Sequence, residues 1–353
     1  MAWIPEEYRH DLRHIIQLYE NVEQTHRGLG KLAIAVALHD RADMALFVIG
    51  LAGTGKSAVS SALLNTRWRH GVQMRDLTKA SLARWGDDLQ GFHGTIVVDD
   101  LARCDSNYIM KQTYKTLIEL CFNHGTDKAT FHYRIQISNF YASVIFNVQP
   151  VLFREIIGER DWDAFVRDRA ARYYHLYRPI EPNPNPPRFN LTRREYTEIT
   201  FNPSNLDDRL GAEVLARLTW QFSKGRSKLY FVRLVKASAA LNDRDEVCDA
   251  DLWLVGEIYR NSLLEHLLTS ATEFEGRRRF NSNLYAILSE FATLKQPIPI
   301  NDLCHRYGYS KQTIYNIVRK LNKYCTTSRD TPPTIIPTEE MKQLMQEVGV
   351  EWQ

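Results

Sequence analysis

Gly50-Leu51-Ala52-Gly53-Thr54-Gly55-Lys56-Ser57 carries the pattern G-x-x-x-x-G-K-[ST], and the residues on either side of it decide the fold. Met44 to Gly50 is an apolar run of strand length and Ala58 to Leu64 reads as a helix, so the motif lies between a strand and a helix. In that setting the glycines let successive backbone N–H groups point inward at phosphates, and the helix N-terminus adds its dipole. Lys56 is placed to reach the β- and γ-phosphates, and the Ser57 hydroxyl to ligate Mg2+. Gly50, Gly53, Thr54 and Gly55 complete the expected cradle.

Working outward, a phosphate loop needs a second carboxylate site for magnesium at the end of a neighbouring strand. Thr95-Ile96-Val97-Val98-Asp99-Asp100 supplies one. Asp99 is the expected Mg2+ partner through water. Asp100 stands where hydrolytic P-loop enzymes usually carry a longer Glu that orients and deprotonates the attacking water. It also reads as a simple cap on the segment that follows. A helix over Tyr108 to Leu120 and further strands over Ala142 to Phe146 and Tyr173 to Tyr177 continue an α/β pattern with a parallel sheet.

Pro179, Pro182, Pro184, Pro186 and Pro187 then form a stiff linker that closes this core. Leu206 to Leu268 reads as helical, punctuated at Gly225 and at Asn242 to Asp245. Near the end, a helix over Asn283 to Leu294, a short one over Asn301 to Tyr307, a turn at Gly308 and a helix from Ser310 to Tyr324 follow the order of a helix-turn-helix. The expected units are an N-terminal helical segment (1–43), an α/β nucleotide-binding core (44–187), a helical lid (188–274) and a C-terminal winged helix-turn-helix (275–353).

Composition narrows the class. The mean hydropathy of -0.38 leaves no room for a long apolar span. Glu6, Glu7 and Asp11 interrupt the N-terminus where a secretory signal would need an apolar run, so a cytoplasmic location without membrane association is expected. Cys104, Cys121, Cys248, Cys304 and Cys325 are odd in number and scattered, which suits reduced thiols rather than zinc. His10 and His14 lie one turn apart with no third ligand at useful spacing. The formal net charge of +3 is too small by itself to establish a nucleic-acid partner, so local clustering has to decide.

Taken together, the P-loop, the Asp99 strand and the helical region beyond them resemble the AAA+ superfamily, and within it the MCM replicative helicases. Val144-Ile145-Phe146-Asn147-Val148-Gln149-Pro150 looks like the strand ending in the sensor 1 asparagine, which implies that Asn147 polarises the lytic water. Gly125-Thr126-Asp127-Lys128-Ala129-Thr130 is similar to the hairpin before sensor 1, whose lysine projects toward DNA in a central channel. Lys128 is the match, and an ordinary solvated lysine is the competing reading. An arginine just before the next strand reaches a neighbouring subunit's γ-phosphate in this family. Arg172 fits that position, with Arg169 and Arg167 in reserve and a solvated helix end as the alternative. Arg226 takes the sensor 2 role, contacting the γ-phosphate from the lid. The MCM proteins carry a large N-terminal DNA-binding tier ahead of this core, and the expectation from residues 1–43 is a short helical segment in its place.

In the C-terminal unit, Leu303, Tyr307, Ile314, Ile317, Val318 and Leu321 are spaced to form a small core, with Ser310 capping the second helix. Lys311, Gln312, Asn316 and Arg319 lie on its outer side as groove-reading and phosphate-binding side chains, with Thr326 to Ile336 as the wing. Arg277, Arg278 and Arg279 add a basic cluster, and a protein-contact role for the same unit stays open. The expectation is an ATP- and Mg2+-dependent ATPase that binds DNA as a homo-oligomer, a hexameric ring by the resemblance, and acts as a translocase or helicase in replication. The alternative is an ATP-dependent DNA-binding switch, an initiator, loader or transposition-type regulator with little translocation. A small-molecule P-loop kinase would need no helix-turn-helix.

Overall fold

The computed structural model describes residues 3–66, 70–74, 85–99, 101, 104, 106–129, 134–159, 162–178, 183, 185–271, 278–350 and 352. Two helices, α1 (Arg13–Thr25) and α2 (Gly30–Arg41), precede β1 (Ala45–Ile49) and α3 (Lys56–Leu64). Then come β2 (His70–Met74), β3 (His93–Val98), α4 (Asn107–Asn123), a hairpin of β4 (Thr126–Ala129) and β5 (Arg134–Ile137), β6 (Tyr141–Val148), α5 (Pro150–Ile157) and β7 (Ala170–Tyr174).

The central sheet has five parallel strands in the order β2-β3-β6-β1-β7. Its inner strands are near-continuous apolar runs, as strands covered on both faces must be. Alternation along β1 sends Ala45, Phe47 and Ile49 into one buried cluster and Leu46 and Val48 into the other. The register pairs Ile49 with Val148 and Tyr174, and Val98 with Phe146, so the residues that follow all these strands emerge at one edge. A mixed α/β architecture around such a sheet is consistent with a P-loop ATPase core.

Helix α2 is buried along its length, and Asp40 within it accepts hydrogen bonds from the hydroxyls of Thr95, at 2.5 Å, and Ser143. Those two bonds pin the helix across β3 and β6. Behind it pack α6 (Asp208–Thr219), α7 (Lys224–Leu241) and α8 (Asp249–Ile258), followed by α9 (Leu263–Leu268) and the small ribbon of β8 (Thr269–Ala271) and β9 (Arg278–Phe280). Gly225 lies inside the first turn of α7 rather than between helices, because the break falls at residues 220–223.

The last unit runs α10 (Ser282–Leu294), β10 (Ile298–Pro299), α11 (Ile300–Tyr307), α12 (Lys311–Lys320), β11 (Cys325–Thr327), β12 (Thr334–Pro337) and α13 (Glu339–Glu347). Its strands form an antiparallel sheet in the order β10-β12-β11. Leu303, Ile314, Val318 and Leu321 are buried between its helices. They join the same apolar cluster as one face of the central sheet, so this unit is seated on the core rather than tethered to it.

Two sequence expectations shift. The strand expected from Tyr173 begins three residues earlier, at Ala170, so Arg172 lies inside it. The polar stretch after α3 contains the edge strand β2, whose residues are mostly half-exposed or exposed and so lack an apolar signature.

Candidate functional site

The loop between β1 and α3 is bent through left-handed conformations that favour glycine. Gly53 and Gly55 have φ of +70° and +78°, and a Cβ on Gly55 would lie 2.4 Å from Leu29 Cδ1. Nothing lies within 4 Å of the Cβ position of Gly53, so the space beside the loop is open there. Thr54 Oγ1 donates to the Leu51 carbonyl at 2.8 Å. Lys56 is folded over the loop, its ammonium donating to the carbonyls of Gly50 at 2.7 Å and Leu51 at 2.8 Å. Ser57, one residue into the helix, is exposed at its N-terminal end.

Across the sheet, Asp99 and Asn147 end up side by side because they follow β3 and lie near the end of β6. Asn147 Nδ2 donates to Asp99 Oδ1 at 3.1 Å and to Ser60 Oγ at 2.7 Å, and Ser60 in turn donates to the Lys56 carbonyl at 2.8 Å. The asparagine therefore bridges the residue that follows β3 and helix α3. Its Oδ1 is buried and has no hydrogen-bond partner among the described residues. Asp100 lies outside the described residues.

His175, which sequence reasoning missed, completes this edge. Its backbone N–H donates to the Ile49 carbonyl at 2.7 Å, and its Nε2 stands 3.1 Å from the Thr54 carbonyl. Burial and the neighbouring Lys56 charge push its pKa down to about 3, so the ring is neutral and the carbonyl selects the tautomer with the proton on Nε2. No local motif marks it; its only sequence signal is its place directly after a strand.

Arg172 is not at a subunit-facing surface. Its side chain is fully buried and makes a two-pronged pair with Glu265, Nε to Oε2 at 3.0 Å and Nη2 to Oε1 at 3.0 Å. Its remaining donors go to the carbonyls of Arg167, Ala170 and Gln221, each at 2.6 Å. Tyr174 adds its hydroxyl to Glu265 at 2.7 Å. The expected trans-acting role of Arg172 is therefore corrected: with the strand starting at Ala170, this side chain faces inward and every donor is used within the chain.

The residue that now stands just before the strand is Arg169. It is half-buried, donates to the Phe165 carbonyl at 3.0 Å, and lies over the rings of Phe165 and Phe122 at 4.3 and 5.3 Å. Arg226 lies over the same Phe122 ring at 4.3 Å and makes no hydrogen bond or ion pair among the described residues. Ala170 pairs with Ala45, at the far end of β1 from Gly50, roughly 16 Å away at the strand rise. The expectation that Arg226 contacts the γ-phosphate is corrected for its own chain: it sits at the opposite edge of the sheet from its own phosphate loop. Arg167 pairs with Asp163 at 3.5 Å, and burial with the charges of Arg278 and Arg172 pulls its pKa below the ordinary arginine value.

Lys128 lies in β4 opposite Ile135, and its side chain is outside the described part of the structure, as are residues 130–133. On α12, Lys311, Gln312 and Arg319 are exposed and Asn316 is half-buried. Asn316 Oδ1 accepts from both Gln312 and Arg319 at 3.4 Å, which places the three polar groups on one side of the helix. Of the basic cluster, Arg277 lies outside the described residues, Arg278 pairs with Asp163 at 2.9 Å, and Arg279 is exposed.

Among the described residues no three His, Cys, Asp or Glu side chains converge as a metal site, and no helix is long and apolar enough to cross a membrane. No family model matches the sequence, and no curated protein matches it. Solved structures do match the chain, among them two that align over most of it. One, a candidate ATPase from Cytophaga hutchinsonii, is 15% identical with a TM-score of 0.39, over 89% of this chain and 95% of that one. The other, the active helicase Cch of SCCmec type IV, is 12% identical with a TM-score of 0.37, over 96% of this chain and 71% of that one. Likenesses at this level carry no inference about the site.

Proposed function

We propose that this chain is an ATP-hydrolysing, DNA-binding AAA+ protein of MCM-like type that works as an oligomeric translocase or helicase in replication. The proposed units are the nucleotide core at 44–187, the lid at 188–274 and a winged helix at 275–353. The observation that carries the reading is the convergence of Lys56, Asp99 and Asn147 on one edge of the sheet beside a glycine-bent loop.

The residues fit a nucleoside triphosphate with Mg2+. The open space beside Gly53 suits close approach of phosphates to backbone N–H groups, and Asn147 Oδ1 is a buried acceptor without a donor among the described residues. Bound Mg-ATP would supply a transferable γ-phosphoryl group. Lys56 would exchange its two carbonyl partners for phosphate oxygens, while Ser57 and Asp99 would hold the metal. Asn147 would orient a water through Oδ1, and Asp100 would stand in the position of its base.

Arg169 and Arg226 take the trans-acting roles in this proposal. Both cations flank one aromatic ring at the edge remote from their own loop, so only a neighbouring subunit's nucleotide is within their reach. Hydrolysis then depends on assembly, in keeping with a ring. Lys128 on the hairpin and Lys311, Gln312, Asn316 and Arg319 on α12 are the proposed DNA contacts.

Purified chain should hydrolyse ATP faster with single-stranded DNA, bind nucleotide with an affinity that Lys56→Ala removes, and lose strand displacement with Lys128→Ala. Absence of any Lys56-dependent nucleotide binding would end the proposal. A second reading, an ATP-dependent DNA-binding switch with little translocation, is favoured by Asp100, whose short side chain reaches less far than the usual glutamate. Nucleotide-dependent DNA binding without displacement activity would select it.

A further inference from the structure

The C-terminal unit reaches into the foot of the phosphate loop. Tyr285, on the first helix of that unit and fully buried, has its hydroxyl 2.5 Å from the His175 carbonyl and 3.0 Å from the Ile49 carbonyl. Ile49 is the last residue before the loop, and His175 holds the loop from the other side through Thr54. One hydroxyl therefore sits beneath both strand ends on which the loop is hung.

The contact is part of a longer seam. Tyr285, Ser289 and Thr293 recur every four residues, along one face of α10. Thr293 Oγ1 accepts from the backbone N–H of Arg178, and Glu290 pairs with Arg178 at 3.6 Å. The same Glu290 accepts from Tyr307 at 2.7 Å and from Arg306, both on α11. The segment that leaves β7 through His175 and Arg178 is thus held by α10, and α10 is held to the helix preceding α12.

We infer that Tyr285 is a positioning residue for the phosphate loop, through which the C-terminal unit senses whether that loop is occupied. The inference rests on the nucleotide-site reading above. Its physical basis is that the buried His175 carbonyl accepts from the Tyr285 hydroxyl, which also lies 3.0 Å from the Ile49 carbonyl already held by the His175 N–H, so the backbone that enters the loop is coupled to the placement of α10. Movement of Lys56 away from Gly50 and Leu51 alters the same backbone one residue further on. His175 carries the second half of the link, since its Nε2–H holds the Thr54 carbonyl while its own carbonyl accepts from Tyr285.

The test uses the full chain with Tyr285→Phe, which removes one oxygen and keeps the ring, and with His175→Gln and His175→Leu. The Gln side chain can still donate to Thr54, and the Leu side chain cannot. Expected for Tyr285→Phe is a KM for ATP raised about three- to ten-fold, the worth of one buried hydrogen bond, with kcat within two-fold. His175→Leu should raise KM likewise and His175→Gln should restore it. In wild type, a slowly hydrolysed ATP analogue should slow backbone hydrogen exchange over residues 282–294, and in Tyr285→Phe that response should vanish while the loop's own protection stays. Unchanged KM in Tyr285→Phe overturns the inference. So does an exchange response equal to wild type, or a loss of kcat with KM untouched, which marks a purely structural role. If wild type binds no nucleotide, the site reading itself has failed, an outcome told apart from the others by Lys56→Ala behaving as wild type.

Discussion

Arg169 and Arg172 stand three residues apart in the same basic stretch and have opposite surroundings. Arg172 spends all its donors inside the protein, on Glu265 and three carbonyls, whereas Arg169 keeps most of its guanidinium against aromatic rings. A buried pair that loses one partner leaves an uncompensated charge, which costs about 3–5 kcal/mol. Arg172→Ala should therefore lower the unfolding free energy by that amount in urea titration, with activity lost only as folded protein is lost. Arg169→Ala should lower the unfolding free energy far less, by about 1 kcal/mol for its ring contacts, and cut ATP turnover by about 10^3-fold, the scale of a trans-acting arginine. Equal melting of the two variants would reverse this assignment.

At the scale of the element, α12 is built as a presented helix. Ile314 and Val318 bury one side, and Ser310 caps the start, its hydroxyl accepting from Thr313 N at 3.1 Å. Removing such a cap costs about 1 kcal/mol, so Ser310→Ala should shift the unfolding midpoint slightly and weaken DNA binding without affecting ATP affinity. On the outer side, Arg319→Ala should weaken binding to a labelled duplex and reduce the slope of log affinity against log salt by about 1 if Arg319 meets a phosphate. A change in sequence preference with an unaltered slope would assign it to a base edge instead. The hairpin β4–β5 is the complementary element: it branches from the sheet between α4 and β6, with its strand register fixed from Thr126 opposite Ile137 to Ala129 opposite Arg134.

For the whole molecule, the two proposed halves of a hydrolytic site lie at opposite edges of one sheet, and this has a consequence for mixtures. Lys56→Ala subunits lack a working loop and Arg169→Ala subunits lack the cation given to a neighbour. Mixing the two inactive proteins should restore part of the ATPase rate, because an Arg169→Ala loop beside a Lys56→Ala neighbour has every group it needs. A mixture as inactive as its components would argue for a site complete within one chain. Global stability should also fall in mild acid. Burial lowers His175 to about 3 and His39 to about 4, against an ordinary 6.5, so below that value the unfolded chain takes up protons that the folded chain refuses. The stabilisation is complete above pH 6.5 and is lost as pH falls toward 4 and then 3, roughly 1.4 kcal/mol per pH unit for each histidine. Urea midpoints measured at pH 7 and pH 5 should differ accordingly, and His39→Gln should remove its share of the difference.

The strand, glycine-rich turn and helix around Gly50 to Ser57, the Asp99 strand, the Asn147 strand and the small apolar core between the paired helices near the C-terminus could be read from the chain alone. Each is written in contiguous residues, as a motif, an apolar run or a helical period, and short-range sterics and burial set such elements wherever they occur. The tertiary structure alone decided which arginine is buried, at which edge Arg226 lies, and that His175 and Tyr285 are brought against the glycine-bent loop and the strand that enters it. Those facts rest on partners far away in sequence, Arg172 with Glu265 and Tyr285 with His175 and Ile49. A charged residue inside a covered strand looks like a solvated one until the group that neutralises it is brought alongside, and only the packing of one element on another does that.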